Sequence, residues 1–386
     1  MSFRRIRVAG SVVAAVLVVA LAAPVAGAAD PADQGAAARA VDWLVGQQEA
    51  DGGFELADFP GFETPDAVLA IASAAQTGAA WSTAEARAAV EGLQAGGSGP
   101  TPIDALDGWA AGANAGEASK LLLLVVAPLG LEPSSFGPSG TDLATVVYPG
   151  GCGSSPDTSG LFFQEVMFVA FGGEILCGAP DAAVLQTIRD AQRPEGGWNF
   201  NGSTDPVDPN DPFDPNVADV DSTALAVQAL VAGGASWEDP AVLRALAYLA
   251  GAQAGSGAFP SFGNDDPTAT AVARLAIAAA GFDPNASCWR DTAVPAAAGT
   301  PYAAPAGFLR ARQQPDGHVA SPNDGYGVNS FATSQSVDAL LRSWLPMARA
   351  ADAPTCPEVS PDAATREPAD PADPADPVVL SPRFTG

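Results

Sequence analysis

The chain has little positive charge and few of the residues that hold most metals. Its 386 residues contain 17 Lys and Arg against 44 Asp and Glu, and Lys120 and His318 are its only lysine and histidine. Nucleic acid and anionic membrane surfaces require basic patches on their partners, so we expect neither as a partner here. Lysine-based catalysis has a single candidate, Lys120. A zinc site has almost no candidate ligands, because no CxxC or HxxxH spacing is present.

Long apolar runs are also scarce. The longest, residues 11–23, follows the basic start Arg4-Arg5-Ile6-Arg7 and precedes the small residues 26–28. It is too short for a comfortable membrane span, which needs ~20 apolar residues. This pattern predicts a signal peptide over residues 1–28, so that the mature protein is exported, secreted and without a membrane span.

Cysteine is limited to four residues, Cys152, Cys177, Cys288 and Cys356. In an exported protein they are expected to form disulfides, and four cysteines allow three pairings. Proximity along the chain favours Cys152–Cys177 and Cys288–Cys356, although spacing alone leaves the other pairings open.

Internal repetition is the most informative feature of the sequence. DVDSTALAVQAL (219–230) aligns with NDDPTATAVARL (264–275) and NSFATSQSVDAL (329–340), so that Asp221 matches Asp266 and Thr223 matches Thr268 and Thr333. Shared apolar positions recur every three or four residues, as in a helix. Looser copies cover 65–78, 116–130 and 159–173, which gives six apolar inner helices.

A more amphipathic segment precedes each apolar one. These segments cover 36–48, 82–94, 141–147, 181–192, 239–253 and 305–314, of which 141–147 is the weakest. The pairs join at turns such as QEADGGF (48–54) and QRPEGGW (192–198), where glycine permits positive φ. We predict that Phe54, Trp198 and Phe259, which follow the turns, are packing anchors rather than a ligand platform.

These turns resemble the QW-type repeats of terpene cyclases, and DVDSTALAVQAL resembles the acid motif of squalene–hopene and class II diterpene cyclases. Prenyltransferase β subunits and transcobalamins share the same repeat. The resemblance covers about 36–345 and implies an all-α fold, an (α/α)6 toroid of six helical hairpins, over residues 36–350. The fold serves enzymes and binders alike. Residues 352–386 repeat Ala-Asp-Pro, and this composition predicts a disordered tail.

Asp221 has two competing interpretations. The resemblance implies that it is the general acid of a D-x-D-D motif, supported by Asp219; Ser222 replaces the last acid, so one like charge that raises the donor's pKa is missing. The repeat alignment instead makes Asp221 a helix N-cap, as it does Asp266 before Pro267 and Thr64 before Pro65. The sequence favours the cap.

Acidic residues concentrate before the inner helices, which the toroid places around one mouth. Asp265, Asp266 and Asp324 are candidate ligand-binding residues of this rim. Calcium prefers six to eight oxygen ligands, so the loop carrying Asp205, Asp208, Asp211 and Asp214 is a candidate calcium site; no other cofactor is expected. A solvated acidic loop is the alternative.

No complete active site is present in the sequence. The leading hypothesis is a non-catalytic protein that binds a small molecule or a surface partner through its central cavity or acidic rim. One alternative is a class II-type terpene cyclase, against which the low aromatic content of 7% counts. Another is a structural module of the cell surface.

Overall fold

Helices make up almost all of the regular structure. The computed structural model describes residues 29–55, 62–78, 80–211, 214–323 and 330–341, together with the backbone of 343–344 and 348–349. The predicted signal peptide, the tail, Asp324 and Cys356 lie outside these residues, so their assignments stay predictions. No helix in the described ranges is both long enough and apolar enough to cross a membrane.

Six apolar helices form a closed inner ring. They are α2 (Thr64–Ala74), α5 (Ala115–Leu121), α8 (Phe163–Cys177), α10 (Val220–Ala232), α12 (Pro267–Ala279) and α15 (Phe331–Leu340). A π-helical stretch (Leu122–Val126) extends α5 into α6 (Ala127–Leu129). Each inner helix contacts the next one along the chain, and α15 contacts α2, so the ring is closed. The predicted toroid is confirmed.

The remaining helices surround this ring. They are α1 (Pro31–Val45), α3 (Thr83–Glu91), α4 (Pro102–Ala110), α7 (Leu143–Val147), α9 (Ala182–Asp190), α11 (Pro240–Ala252), α13 (Cys288–Ala293) and α14 (Pro305–Arg312). The sequence pattern did not predict α4 and α13. There are also two short 3-10 turns (Ala95–Gly97, Pro295–Ala297) in the described ranges. Two antiparallel strand pairs are present there as well, β1 (Phe259–Ser261) with β2 (Asn264–Asp266) and β3 (Ser343–Trp344) with β4 (Ala348–Arg349).

One hydrogen bond recurs between the turns and the inner helices. The amides of Phe54, Trp198, Phe259 and Val319 donate to the hydroxyls of Thr64, Thr223, Thr270 and Thr333, at 2.9, 2.9, 2.9 and 3.0 Å. All four bonds are buried, so each amide leaving a turn is satisfied inside the protein. The aromatic side chains of the first three positions are fully buried, which confirms them as packing anchors.

These anchors correct the repeat alignment. Thr223 is equivalent to Thr270 and not to Thr268, so Asp219, rather than Asp221, corresponds to Asp266. The apolar periodicity allowed a shift because alanine and valine occupy adjacent positions of both helices. Thr64 is likewise an anchor inside α2 and not its N-cap, which is Glu63.

The glutamine of each turn connects neighbouring hairpins. Besides bonding the glycine carbonyl of its own turn, Gln192 donates to Ala241 O at 2.8 Å and Gln253 donates to Ala303 O at 3.2 Å. Gln48 makes the same type of bond to Leu93 O at 3.4 Å. The turns therefore determine both the exit from one hairpin and its attachment to the next.

The last turn uses this bond to close the ring onto α1. Gln313 donates to Ala36 O at 2.8 Å, and a Cβ on Gly317, whose φ is +107°, would collide with the Arg39 carbonyl. Nearby, the buried carboxylate of Asp33 pairs with Arg310 of α14 and lies 3.7 Å from Arg274 of α12. The first hairpin is therefore held by the last two.

The Cys152–Cys177 disulfide is confirmed, with a Cα–Cα distance of 5.5 Å. It joins the loop after α7 to the end of α8. Cys288 is also disulfide-bonded.

Replacing Gly317 by alanine tests the closing contact. Gly281 is a matched control, because its φ is +91° and a Cβ there meets no atom within 4 Å. Both substitutions destabilise the protein, because alanine disfavours positive φ. Only Gly317→Ala also places a Cβ against the Arg39 carbonyl, and such overpacking typically costs about 1–3 kcal/mol more. Denaturant unfolding of the two variants measures this difference, and equal losses would show that the turn does not press on α1.

Candidate functional site

Three inner helices, unlike an ordinary buried helix, have a narrow stripe of partly exposed residues along one side. These helices are buried over most of their surface, yet the positions two before or two after the anchoring threonines keep partial exposure. On α10, α12 and α15 these positions are Asp221, Leu225, Thr268, Val272, Phe331 and Gln335. Each inner helix contacts an inner helix on either side and outer helices behind it. The exposed stripe therefore faces the ring axis, and we call the space around this axis the lumen.

Polar side chains meet on one side of the lumen. Lys120 of α5 lies 3.2 Å from the Asp66 carboxylate of α2, and Gln335 of α15 donates to the other Asp66 oxygen at 3.3 Å. Lys120 also donates to Phe62 O at 2.8 Å, and the Phe62 and Phe331 rings stack with centroids 4.7 Å apart. A charge pair is thus covered by an aromatic pair at the mouth of the lumen.

A second carboxyl group lies deeper between α2 and α15. Asp338 is buried and accepts a hydrogen bond of 2.6 Å from the Ser73 hydroxyl. Burial raises the pKa of Asp338 to about 8, and the nearby Asp66 acts in the same direction. At neutral pH this carboxyl is largely protonated.

Asp219, and not Asp221, caps α10. The Asp219 carboxylate accepts the Ser222 amide at 2.6 Å, and its own amide donates to Trp198 O at 2.8 Å. The prediction that Asp221 caps the helix is therefore wrong, since the helix begins at Val220 and Asp221 lies within its first turn. The prediction for Asp266 is right, because it caps α12 by accepting the Ala269 amide at 3.0 Å.

This arrangement leaves Asp221 poorly paired. Its Oδ2 is 3.5 Å from the Ser261 hydroxyl, and its Oδ1 is shielded from solvent with no hydrogen-bond partner among the described residues. Burial raises the pKa of Asp221 to about 8, with the neighbouring carboxylates of Asp219 and Asp266 adding to the effect. Burial also raises the pKa of Asp219, while the Ser222 amide opposes the rise.

Asp266 therefore supplies a like charge that the local motif lacks. Ser222 occupies the position where a third acid was expected from the sequence motif, but the next hairpin contributes that acid through space. The second Asp266 oxygen accepts from Ser321 at 2.6 Å and from Asn323 at 3.0 Å, which joins the fifth hairpin to the sixth. Asp265 is exposed and accepts from Ser256 at 2.9 Å. Their predicted role in ligand binding stays a prediction.

The acidic loop before α10 is organised by its own hydrogen bonds. Asp214 accepts the amides of Asn216 and Asp208, and these bonds lower its pKa. The buried Arg193 donates to the carbonyls of Ser203 and Asp205 at 3.1 and 3.0 Å. Across the ranges that the structure covers, no three His, Cys, Asp or Glu side chains are grouped to hold a metal ion. Calcium binding by Asp205, Asp208, Asp211 and Asp214 stays a prediction.

The lumen residues Asp66, Lys120, Gln335 and Asp338 were not identified from the sequence. A signal was present for the charged residues, because Asp66 and Lys120 lie in segments that are otherwise mostly apolar. Such a residue is expected to be paired or functional, and that argument required no knowledge of the helix partners.

Two grooves lie outside the lumen. One of about 450 Å³ is lined by residues of α3, α4 and the loop after α6, including Glu91 and Phe136. The other, of about 400 Å³, lies between α8, α9 and the following loop, and its lining includes Leu161, Phe163 and Gly202.

Comparison with known proteins gives structural neighbours only. No protein-family model and no curated protein matches the chain. The solved type II terpene cyclase MstE from Scytonema is 17% identical, and the alignment covers 81% of this chain and 98% of that one with a TM-score of 0.48. A protein from Actinoplanes is 20% identical over 80% of this chain and 98% of that one, with a TM-score of 0.45.

At such identities and TM-scores the similarity carries no information on activity.

The raised pKa of Asp221 predicts how stability depends on pH. Between about pH 4, where the unfolded carboxyl loses its proton, and about pH 8, where the folded one does, the unfolded state binds fewer protons. The unfolding free energy should therefore fall as pH rises through this window. Asp221→Asn should remove part of the fall, up to about 1.4 kcal/mol per pH unit for one proton.

Denaturant unfolding at a series of pH values measures this slope. Because Asp338 has the same direction of shift, Asp338→Asn should remove a similar part, and the double variant should remove both. A wild-type slope that Asp221→Asn leaves unchanged would contradict a protonated Asp221.

Proposed function

We propose that the chain is an exported binding protein that takes a small organic molecule into its lumen. The supporting observation is that Asp221 Oδ1 and Gln335 Oε1 have no hydrogen-bond partner among the described residues, although both are shielded from solvent. Buried polar atoms are normally paired, so unpaired ones on the lumen stripe are suited to a ligand.

The lumen surface narrows the ligand class. Leu225, Val272 and Phe331 offer apolar contact, and the Asp66–Lys120 pair has no net charge. A protonated Asp221 donates a hydrogen bond rather than attracting a cation. The ligand that fits these groups is an uncharged, largely apolar molecule that carries a hydrogen-bond acceptor. The leader sequence and the Cys152–Cys177 disulfide support export.

Binding of the neutral fluorescent probe N-phenyl-1-naphthylamine tests the lumen site. Leu225→Trp should weaken binding at least about tenfold by filling the lumen, a loss of about 1.4 kcal/mol. Val45→Trp is the matched control, because Val45 is an exposed residue of α1. Absence of probe binding by the wild type, or equal affinity in both variants, would contradict the lumen site.

Native mass spectrometry of the purified protein, with calcium added in one arm, provides the independent readout. A bound organic mass lost in Leu225→Trp supports the proposal. A protein that never carries or takes up a ligand supports the alternative of a structural module.

A second candidate is a class II-type cyclase in which Asp221 protonates an alkene or epoxide. It is favoured by one observation, namely that Asp219 and Asp266 flank a carboxyl whose pKa is raised to about 8. Such a group keeps its proton at neutral pH, and its Oδ1 takes no part in capping the helix.

Incubation with squalene and analysis of the products by mass spectrometry tests this candidate. Turnover by the wild type should fall at least about a hundredfold in Asp221→Asn, which retains the shape but not the acid. Asp30→Asn is the matched control, because it makes the same substitution at an exposed residue that caps α1. An inactive wild type would eliminate the cyclase candidate, and the binding proposal would stand or fall on the probe experiment.

A further inference from the structure

The exposed apolar residues are concentrated at one end of the toroid. Among the described residues, seven large apolar side chains are exposed, and all except Val45 lie in the loops that precede inner helices. The six others, which we call the apolar rim, are Phe62, Phe162, Phe200, Val207, Val217 and Phe262. They lie in the loops before α2, α8, α10 and α12, at the mouth formed by the N-termini of the inner helices. Scattered exposed apolar residues need no explanation, but a set restricted to one end marks an interaction surface.

Phe262 combines the largest exposure of the rim residues with an unfavourable backbone conformation. It is 81% exposed at the tip of the β1–β2 hairpin, and its φ of 47° makes it the only residue other than glycine with positive φ in the described ranges. Together with Gly263, at φ 79°, it forms a two-residue turn that normally favours Asn-Gly. A bulky residue at this position strains the backbone, and its side chain is not buried within the chain.

The second cluster of the rim adjoins a groove. The Phe162 and Phe200 rings lie 6.4 Å apart, and their chain neighbours Leu161, Phe163 and Asn201 line the groove of about 400 Å³ between α8 and α9. Its lining combines Leu161 and Phe163 with the carboxylate of Asp190. Such a groove accepts an apolar side chain whose neighbour carries a positive charge.

The loop segments that carry the rim have charge of one sign, and Lys120, which donates to Phe62 O, is paired with Asp66. Residues 49–63, 148–165, 194–221 and 254–273 contain none of the 17 Lys and Arg and not the single His. The exposed carboxylates of Asp157, Asp205, Asp208, Asp211 and Asp265 lie in these segments. This surface repels anionic lipid headgroups and nucleic acid and attracts a positively charged partner.

We propose that the rim is a docking surface for a protein segment in which lysine or arginine alternates with apolar side chains. The apolar residues of that segment contact Phe262 and the Phe162–Phe200 groove, and its positive charges face the rim carboxylates. This interaction is distinct from ligand binding in the lumen, because it engages the exposed residues Phe262, Phe162 and Phe200 rather than Asp221 and Gln335.

A synthetic amphipathic Leu/Lys peptide tests the proposal by fluorescence anisotropy against the full chain. Phe262→Asn and the double variant Phe162→Ser/Phe200→Ser should each weaken binding at least about tenfold without changing the charge of the protein. Phe262→Asn should at the same time raise the thermal midpoint, since asparagine tolerates positive φ. Val45→Ser, which removes an exposed apolar residue of α1 that does not belong to the rim, should leave binding unchanged.

Two further probes separate the alternatives. A Ser/Lys peptide of equal charge should bind at least about tenfold more weakly than the Leu/Lys peptide, and vesicles of phosphatidylcholine and phosphatidylglycerol should not bind. Equal binding of both peptides would mean charge attraction alone and would overturn the proposal. The proposal would also be overturned by vesicle binding that depends on Phe262, or by rim variants that bind like Val45→Ser.

Discussion

A backbone amide leaving a turn and a threonine hydroxyl on the following inner helix meet in the same way in four of the hairpins. The bond satisfies a buried donor that no other group in the turn reaches, and it determines the height and rotation of the inner helix. The glutamine of the same turn fixes the neighbouring hairpin. Because Gln313 makes this contact with Ala36 O, the units close into a ring instead of continuing as an open superhelix.

The lumen and its chemistry follow from that rotation. Once Thr223 is held at the turn, Asp219 caps α10 and Asp221 is turned toward the ring axis, where burial and two carboxylates keep it protonated. The same rotation of α12 places Asp266 beside it from the next hairpin. An unpaired acid in a polar and aromatic lumen suits ligand binding, and the flanking carboxylates are the feature that also keeps the cyclase candidate open.

Helical periodicity predicted all six inner helices, because it is a local property of the chain, and the resemblance to terpene cyclase repeats implied the toroid. The register between 219–230 and 264–275 was wrong by two residues, since apolar spacing does not distinguish small residues of one helix such as Ala224 and Ala226, whereas the match of Thr223 with Thr333 was right. The contribution of Asp266 to the Asp221 site depends on a neighbour in space, which no single repeat contains. The Asp66–Lys120 pair was missed for the same reason, although two charged residues in apolar helices gave a readable signal.

Closure of the ring is the claim on which the lumen depends, and native-state hydrogen exchange measures it most directly. In a closed ring the first and last hairpins have no free end, so the amides of α1 and α14 should exchange with the same opening free energy as those of α10 and α12. Exchange of α1 and α14 at markedly lower free energy, as at the frayed ends of an open repeat array, would contradict the closed toroid.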